Sequence, residues 1–319
     1  MIPLLKMAHT SLWRLALAAL LGVVAVLAGV GLMGVSGYLI CRASQQPPIL
    51  SLGALMVGVR ALALTRPLAR YGERLSAHDL AFRALGRLRT ETYARIEPLA
   101  PAGLEAFRNG ELLSRMVSDI DELQDLVLRL LLPIAIAVPT SAVIVVGIGI
   151  VDPAAAAVVA LGLLTGALIP SLVAYRTTAR SGAQQAELRA ALTTELVDTL
   201  DAAEALWLSG ADEAAAARIE AHDGALVRVA NRDARAAGLA DALGLAITGL
   251  TAVAVLVATT AAAADQRLDP LFVAPLTLVT IAAFESVVPL SAAARRLPSL
   301  RAASNRVLEL VRHQPEVVD

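Results

Sequence analysis

Lysine occurs once in these 319 residues, at Lys6, so twenty-six of the 27 basic residues are arginine. A nucleotide-binding P-loop needs a lysine after its glycine-rich turn, and no such site lies within this sequence. The single cysteine, Cys41, excludes an internal disulfide and any paired-cysteine metal or redox motif. Of four histidines, His9, His222 and His313 have no clustered partners, which argues against a metal site made of protein ligands alone. No serine–histidine–acid grouping points to hydrolysis. The formal net charge is −1, so bulk charge gives no pointer to nucleic acid, and aromatic residues are only 3%.

What is present is aliphatic. Apolar residues, mainly Ala, Leu and Val, make up 57% of the chain, against roughly 45–50% in soluble domains, and the mean hydropathy is +0.68. A bilayer core needs about 20 apolar residues per helix. Six runs qualify or nearly do: Leu15 to Ile40, Ile49 to Leu64, Leu126 to Val151, Ala154 to Ala174, Leu239 to Ala264 and Leu271 to Ala294. Lys6 and Arg14 precede the first run as they would in a secretory signal. That run is too long for one and lacks a convincing small-residue cleavage site, so it reads as a retained first membrane helix.

The intervening segments alternate in length. Residues 41–48, 152–153 and 265–270 are short, whereas 65–125 and 175–238 are long, charged and poor in Gly and Pro. Arginines cluster next to the long segments, at Arg66, Arg70, Arg74, Arg176 and Arg180, and after the sixth run at Arg295 and Arg296. The positive-inside rule then puts the long segments and both termini in the cytoplasm. Apolar residues at helical spacing predict that helices 2 to 5 continue out of the membrane by roughly 35–40 Å. Turns are expected near Pro98 and Pro101 and near Ser209 and Gly210, with short crossing helices over residues 102–109 and 211–222.

One stretch stands out: Arg66, Arg70, Arg74 and His78 recur every four residues after the second run, and this spacing puts them near one face of a helix. Such a stripe suits a solvated surface, an anchor for lipid phosphates, or the wall of an anion site. Arg60 lies inside the run itself, where a charged side chain costs roughly 2.5–3.5 kcal/mol or more and usually faces a partner or a wet cavity. Glu285, in the sixth run, is the matching acidic residue. It either pairs with Arg60 across the bundle or, protonated, hydrogen-bonds between helices. Pro67 removes a backbone donor and is expected to kink helix 2.

Six spans with two long excursions suggest one half of an ATP-driven exporter. Residues 106–126, "AFRNGELLSRMVSDIDELQDL", resemble the first intracellular loop of ABC exporters, with Gly110, Glu111, Leu112, Arg115 and Asp119 in place. Residues 301–319 resemble the linker towards a nucleotide-binding domain. More specifically, "GVRALALTRPLARYGERLSAHDLAFRALGRLR", "PLAPAGLEAFRNGELLSRMVSDIDEL" and "AAFESVVPL" are similar to the CydC-type half of heterodimeric CydDC transporters. The fold expected is an all-α ABC exporter transmembrane domain over residues 1–312, with 313–319 opening the linker. Family members carry the motor in the same chain, so the resemblance implies that one follows in the full protein. ATP, magnesium and any ATPase activity would come only with it. "LSGAD" at 208–212 faintly matches a motor signature but lacks its second glycine and its glutamine.

The resemblance further implies a CydD-like partner subunit, residence in the bacterial cytoplasmic membrane, and transport of haem or of a small thiol, cysteine or glutathione, in support of cytochrome bd assembly. It also implies haem b, with His78 as axial ligand, Arg74 and Arg70 as propionate partners and Arg66 as a lesser one. The chemistry is coherent. Imidazole ligates haem iron, guanidinium groups bind carboxylates in pairs of bonds, and Arg70 and Arg74 stand about 12 and 6 Å from His78 along a helix. Glu73 and Asp79 are the groups that would instead turn the stripe into a structural ion-pair ladder. Gly110, Glu111, Arg115 and Asp119 would form a motor-coupling segment, and Asp119, Asp121, Glu122 and Asp125 would meet basic motor residues. The competing functions are a non-transporting haem-binding scaffold and a generic exporter half for lipid or drug.

Overall fold

The computed structural model describes residues 11–97 and 118–312, and among them every regular element is helical. Helices α1 (Leu12–Ala43) and α2 (Ile49–Ile96) are followed by a helical turn at Ile120–Glu122 and a π-helical stretch at Leu126–Leu131 that runs into α3 (Leu132–Val151). Then come α4 (Pro153–Asp201), the short α5 (Ala203–Ser209), α6 (Asp212–Ala264), α7 (Val273–Ala283) and α8 (Val288–Arg312). Among the described residues, six helical segments are long and apolar enough to cross a membrane, and they contain the six apolar runs.

Two Asp–Pro pairs start spans on the same side of the bundle. Asp152 is extended and its carboxylate accepts from the Ala154 amide at 3.0 Å, with Pro153 opening α4. Asp269 does the same for Leu271 at 2.9 Å, with Pro270 next. An acidic N-cap satisfies an orphan donor, and proline at the first helical position lacks one to satisfy. At 1.5 Å per residue the 49 residues of α4 and the 53 of α6 give lengths of about 73 and 80 Å. Both helices overhang the bilayer by far, and the overhangs are joined by polar pairs: Gln185 donates to Asp233 at 2.8 Å and Arg218 to Glu195 at 2.6 Å.

The main core draws on all six membrane-crossing helices, mostly through small and branched residues such as Val26, Ala77, Ile136, Ile148, Val159, Val255 and Leu276, with Phe284 among them. Between membrane helices the gain comes from close packing rather than from apolar transfer. Gly22 of α1 is one device for it, since a Cβ there would stand 2.2 Å from Ile136 Cδ1. A second, smaller core lies beyond the first, where Leu88 of α2, Ile120, Leu123 and Val307 of α8 meet.

Two features differ from the sequence-based expectations. Residues 211–222 do not form a separate crossing helix. They are the first turns of α6, and the crossing element is α5, ended by Gly210 at φ 69°. That left-handed position is one glycine adopts without strain, which accounts for the glycine in "LSGAD". The sixth run is not one α-helix: a 3₁₀ turn at Phe284–Ser286 separates α7 from α8. Pro289 lacks the N–H that the Glu285 carbonyl would otherwise receive in a continuous helix. The chain tightens there, with Val287 donating to the Phe284 carbonyl and Leu290 to that of Val287. The crossing helix expected over residues 102–109 lies outside the described residues.

Candidate functional site

The break in the sixth span carries Glu285, whose carboxylate bridges two arginines of α2. Arg66 Nη2 donates to Oε2 at 2.8 Å and Arg70 Nη2 to Oε1 at 3.0 Å. Arg70 also stands 3.7 Å from Glu73, one turn further along α2. Glu73 is 9% exposed and its side chain makes no hydrogen bond among the described residues. The Arg66 guanidinium rests on α1 at Gly29, where a Cβ would lie 3.1 Å from its Cζ. A glycine is what lets the cation reach Glu285 across that helix.

Beside this network is a cavity of about 540 Å³. Arg70, Glu73, Glu285 and Ser286 give it a polar side. Val26, Leu128, Leu132, Ile136 and Val288 give it an apolar one. Ser286 is also in hydrogen-bonding distance of Ser141 across the α3 interface, at 3.2 Å. The π-helical stretch contributes Leu128 to the wall, in keeping with the tendency of such stretches to sit at functional sites. The volume falls within the roughly 300–1,000 Å³ of small-molecule sites.

The expected pair of Glu285 with Arg60 is not the one formed. Arg60 is exposed and has no ion pair among the described residues, and Glu285 is taken by Arg66 and Arg70 instead. Nor does the stripe stay on one face. Steps of four residues on a 3.6-residue helix drift by about 40° each, about 120° from Arg66 to His78. Arg66 and Arg70 therefore turn inward beside the buried Ala69, Glu73 and Ala77, while Arg74 and His78 are exposed. Arg74 has no ion pair among the described residues. The His78 ring packs against Phe82 with centroids 5.9 Å apart. Tyr71, Leu75 and Phe82, on the same strip of α2, are 70%, 61% and 59% exposed. Asp79 is drawn away from the arginine stripe by Arg14 at 3.3 Å and Arg83 at 2.9 Å.

Gly110, Glu111 and Arg115 of the proposed motor-coupling segment lie outside the described residues. Asp119 is described, and it is not a surface group waiting for a motor. It is 6% exposed and is held by Arg306 through two bonds, at 2.7 and 2.6 Å. Asp121 is paired with Arg89 of α2, and Asp125 with Arg129 at 3.0 Å. Three of the four carboxylates thus have partners within the chain. Arg306, Ser286 and the close approach at Gly29 went unnoticed in the sequence, because each acquires its meaning from a residue far away in the chain.

No family model matches the chain. Four curated proteins do, and three of them carry CydC or CydD descriptions. The Escherichia coli (strain K12) protein described as glutathione/L-cysteine transport system ATP-binding/permease protein CydC is 30% identical over 323 residues, 99% of this chain and 56% of its own length. Its Haemophilus influenzae counterpart of the same description is 30% identical over 324 residues, again 99% of this chain and 56% of that protein. A Bacillus subtilis protein described as the CydD component is 27% identical over 301 residues, 94% of this chain and 52% of that one. The chain spans about half the length of these relatives. Six spans, paired helical overhangs and relatives that are ATP-binding/permease proteins define the transmembrane domain of an ABC exporter, a multi-pass membrane protein. Within that class the chain is homologous to the CydC and CydD proteins, and it is CydC-like.

Proposed function

We propose that this chain is the membrane-spanning part of a subunit of an ATP-driven transporter in the bacterial cytoplasmic membrane, moving cysteine or glutathione. A CydD-like subunit completes the transporter, and nucleotide-binding domains supply ATP hydrolysis. The long helical segments and both termini lie on the cytoplasmic side. The observation that carries this function is the charged cavity in an otherwise apolar bundle. Ionised groups at membrane depth face a partner or an aqueous path, and here two arginines and two carboxylates gather where the sixth span is broken. The small-thiol cargo is taken from the description of the relatives.

Haem belongs to a different face of the same helix. The exposed His78 imidazole lies in an apolar strip made by Tyr71, Leu75 and Phe82, with Arg74 beside it and unpaired among the described residues. Those residues fit haem b: an imidazole for the iron, apolar side chains for the porphyrin face, a guanidinium for a propionate. Bound haem would bring a redox-active iron to this surface, on a subunit that serves cytochrome bd assembly. Arg70 and Arg66 are engaged by Glu285 and are left as secondary propionate partners at most.

The test is reconstitution of the complete transporter in sealed vesicles, with ATP-dependent movement of cysteine, glutathione and haem measured side by side. Movement of either thiol supports the proposal. Haem binding without ATP-dependent movement of any of the three leaves a scaffold, and movement of lipid or drug alone leaves a generic exporter half.

A further inference from the structure

We propose that the cavity bounded by Arg70, Glu73, Glu285 and Ser286 binds the paired ammonium and carboxylate of an α-amino acid head group. The inference deepens the transport function and takes from it only that this cavity meets the cargo.

The charge balance of the cavity is what selects the ligand. Arg66, Arg70, Glu73 and Glu285 bring two guanidinium groups and two carboxylates into one connected cluster. A purely anionic or cationic guest adds an uncompensated charge to a bundle that is otherwise apolar, and that is costly. A zwitterion adds none. The cluster also alternates in sign, Glu285 then Arg70 then Glu73, so it offers a donor and an acceptor side by side.

Each end has unspent capacity. Arg70 commits only its Nη2 to a hydrogen bond, with Glu285, and a guanidinium has five N–H groups. The remaining donors suit an incoming carboxylate. Glu73 is nine-tenths buried, lines the cavity, and has only the 3.7 Å approach of Arg70 to balance it. Its carboxylate faces the cavity without a side-chain hydrogen bond among the described residues, and an ammonium group placed against it would supply a charge-assisted donor. The apolar wall of Val26, Leu132 and Ile136 then receives the side chain. Nothing in that wall singles out sulfur, so the head group is the feature recognised.

The experiment is competition for binding of radiolabelled L-cysteine to the complete heterodimeric transporter in lipid nanodiscs. Unlabelled L-cysteine, S-methyl-L-cysteine and glutathione are expected to compete. Cysteamine, which lacks the carboxylate, and 3-mercaptopropionate, which lacks the ammonium, are expected to be at least about tenfold weaker. Glu73→Gln leaves the cluster with one excess positive charge, so 3-mercaptopropionate should gain about tenfold relative to L-cysteine. Glu285→Gln makes the same charge change from the other end and serves if the first variant does not assemble. Equal competition by either singly charged analogue, no shift in preference in the variants, or no binding of L-cysteine at millimolar concentration would overturn the inference. If binding shows this selectivity while vesicles move neither thiol with ATP, the transport function falls and the site stands. If the thiols move but the analogues compete equally, the site falls and transport stands.

Discussion

Arg306 near the end of α8 and Asp119 at the entry to the third span are 187 residues apart and joined by two charge-assisted bonds, at 2.7 and 2.6 Å. The pair sits against the second core of Leu88, Ile120, Leu123 and Val307. It ties together the helix that leaves the bundle, the helix that enters it, and α2 through the Arg89–Asp121 pair.

Arg306→Ala leaves Asp119 buried and uncompensated, which is expected to cost about 3 kcal/mol. Asp119→Ala should cost less, because Arg306 is 44% exposed in its side chain and can turn to water. The double variant should be no worse than Arg306→Ala alone. Thermal unfolding of the purified transporter, run as a double-mutant cycle, checks the coupling. Additive losses would mean that the two residues act separately.

Pro289→Ala restores the donor that the Glu285 carbonyl lacks. The 3₁₀ turn at Phe284–Ser286 should then relax towards a continuous α-helix, rotating Glu285 away from Arg66 and Arg70. Pro289 stands in the first turn of α8, where proline is tolerated, so this variant should move less substrate per ATP with little change in melting temperature. Unchanged transport would show that the break is only tolerated.

The glycines of α1 are close approaches of two kinds. At Gly29 an added methyl meets the Arg66 guanidinium at 3.1 Å, so Gly29→Ala should loosen the Glu285 pair and lower transport a few-fold with little loss of stability. At Gly22 it meets the end of Ile136 at 2.2 Å, so Gly22→Ala should cost about 1–3 kcal/mol by overpacking. Transport and melting measurements on both variants separate the two effects.

On the α2 surface, His78→Ala should abolish the Soret shift of haem added to the complete transporter. Arg74→Gln should weaken haem binding several-fold, and Arg70→Gln much less, because Arg70 is already held by Glu285. Equal effects at Arg70 and Arg74 would put the propionates in the cavity rather than on the exposed strip.

The spans were legible because a run of about 20 apolar residues has few other homes. What escaped was set by distance or by phase. An Ala-rich stretch at 211–222 has the composition of a separate helix or of the first turns of a longer one, and only the left-handed Gly210 decides between them. The sixth run is largely apolar, with Glu285 as its one charged residue, so Pro289 alone was too faint a signal for a change of helix type. The four-residue stripe misled more subtly: its drift turns Arg70 towards Glu285 and His78 away from it. The Arg306–Asp119 pair has no local signature at all.

The most direct measurement is ATP-dependent movement of radiolabelled cysteine and glutathione into vesicles holding the complete transporter, wild type beside Glu285→Gln, with ATP hydrolysis followed in parallel. The account predicts that the wild type moves at least one thiol, and that the variant loses most of this movement while still hydrolysing ATP. Undiminished thiol transport by the variant would contradict it.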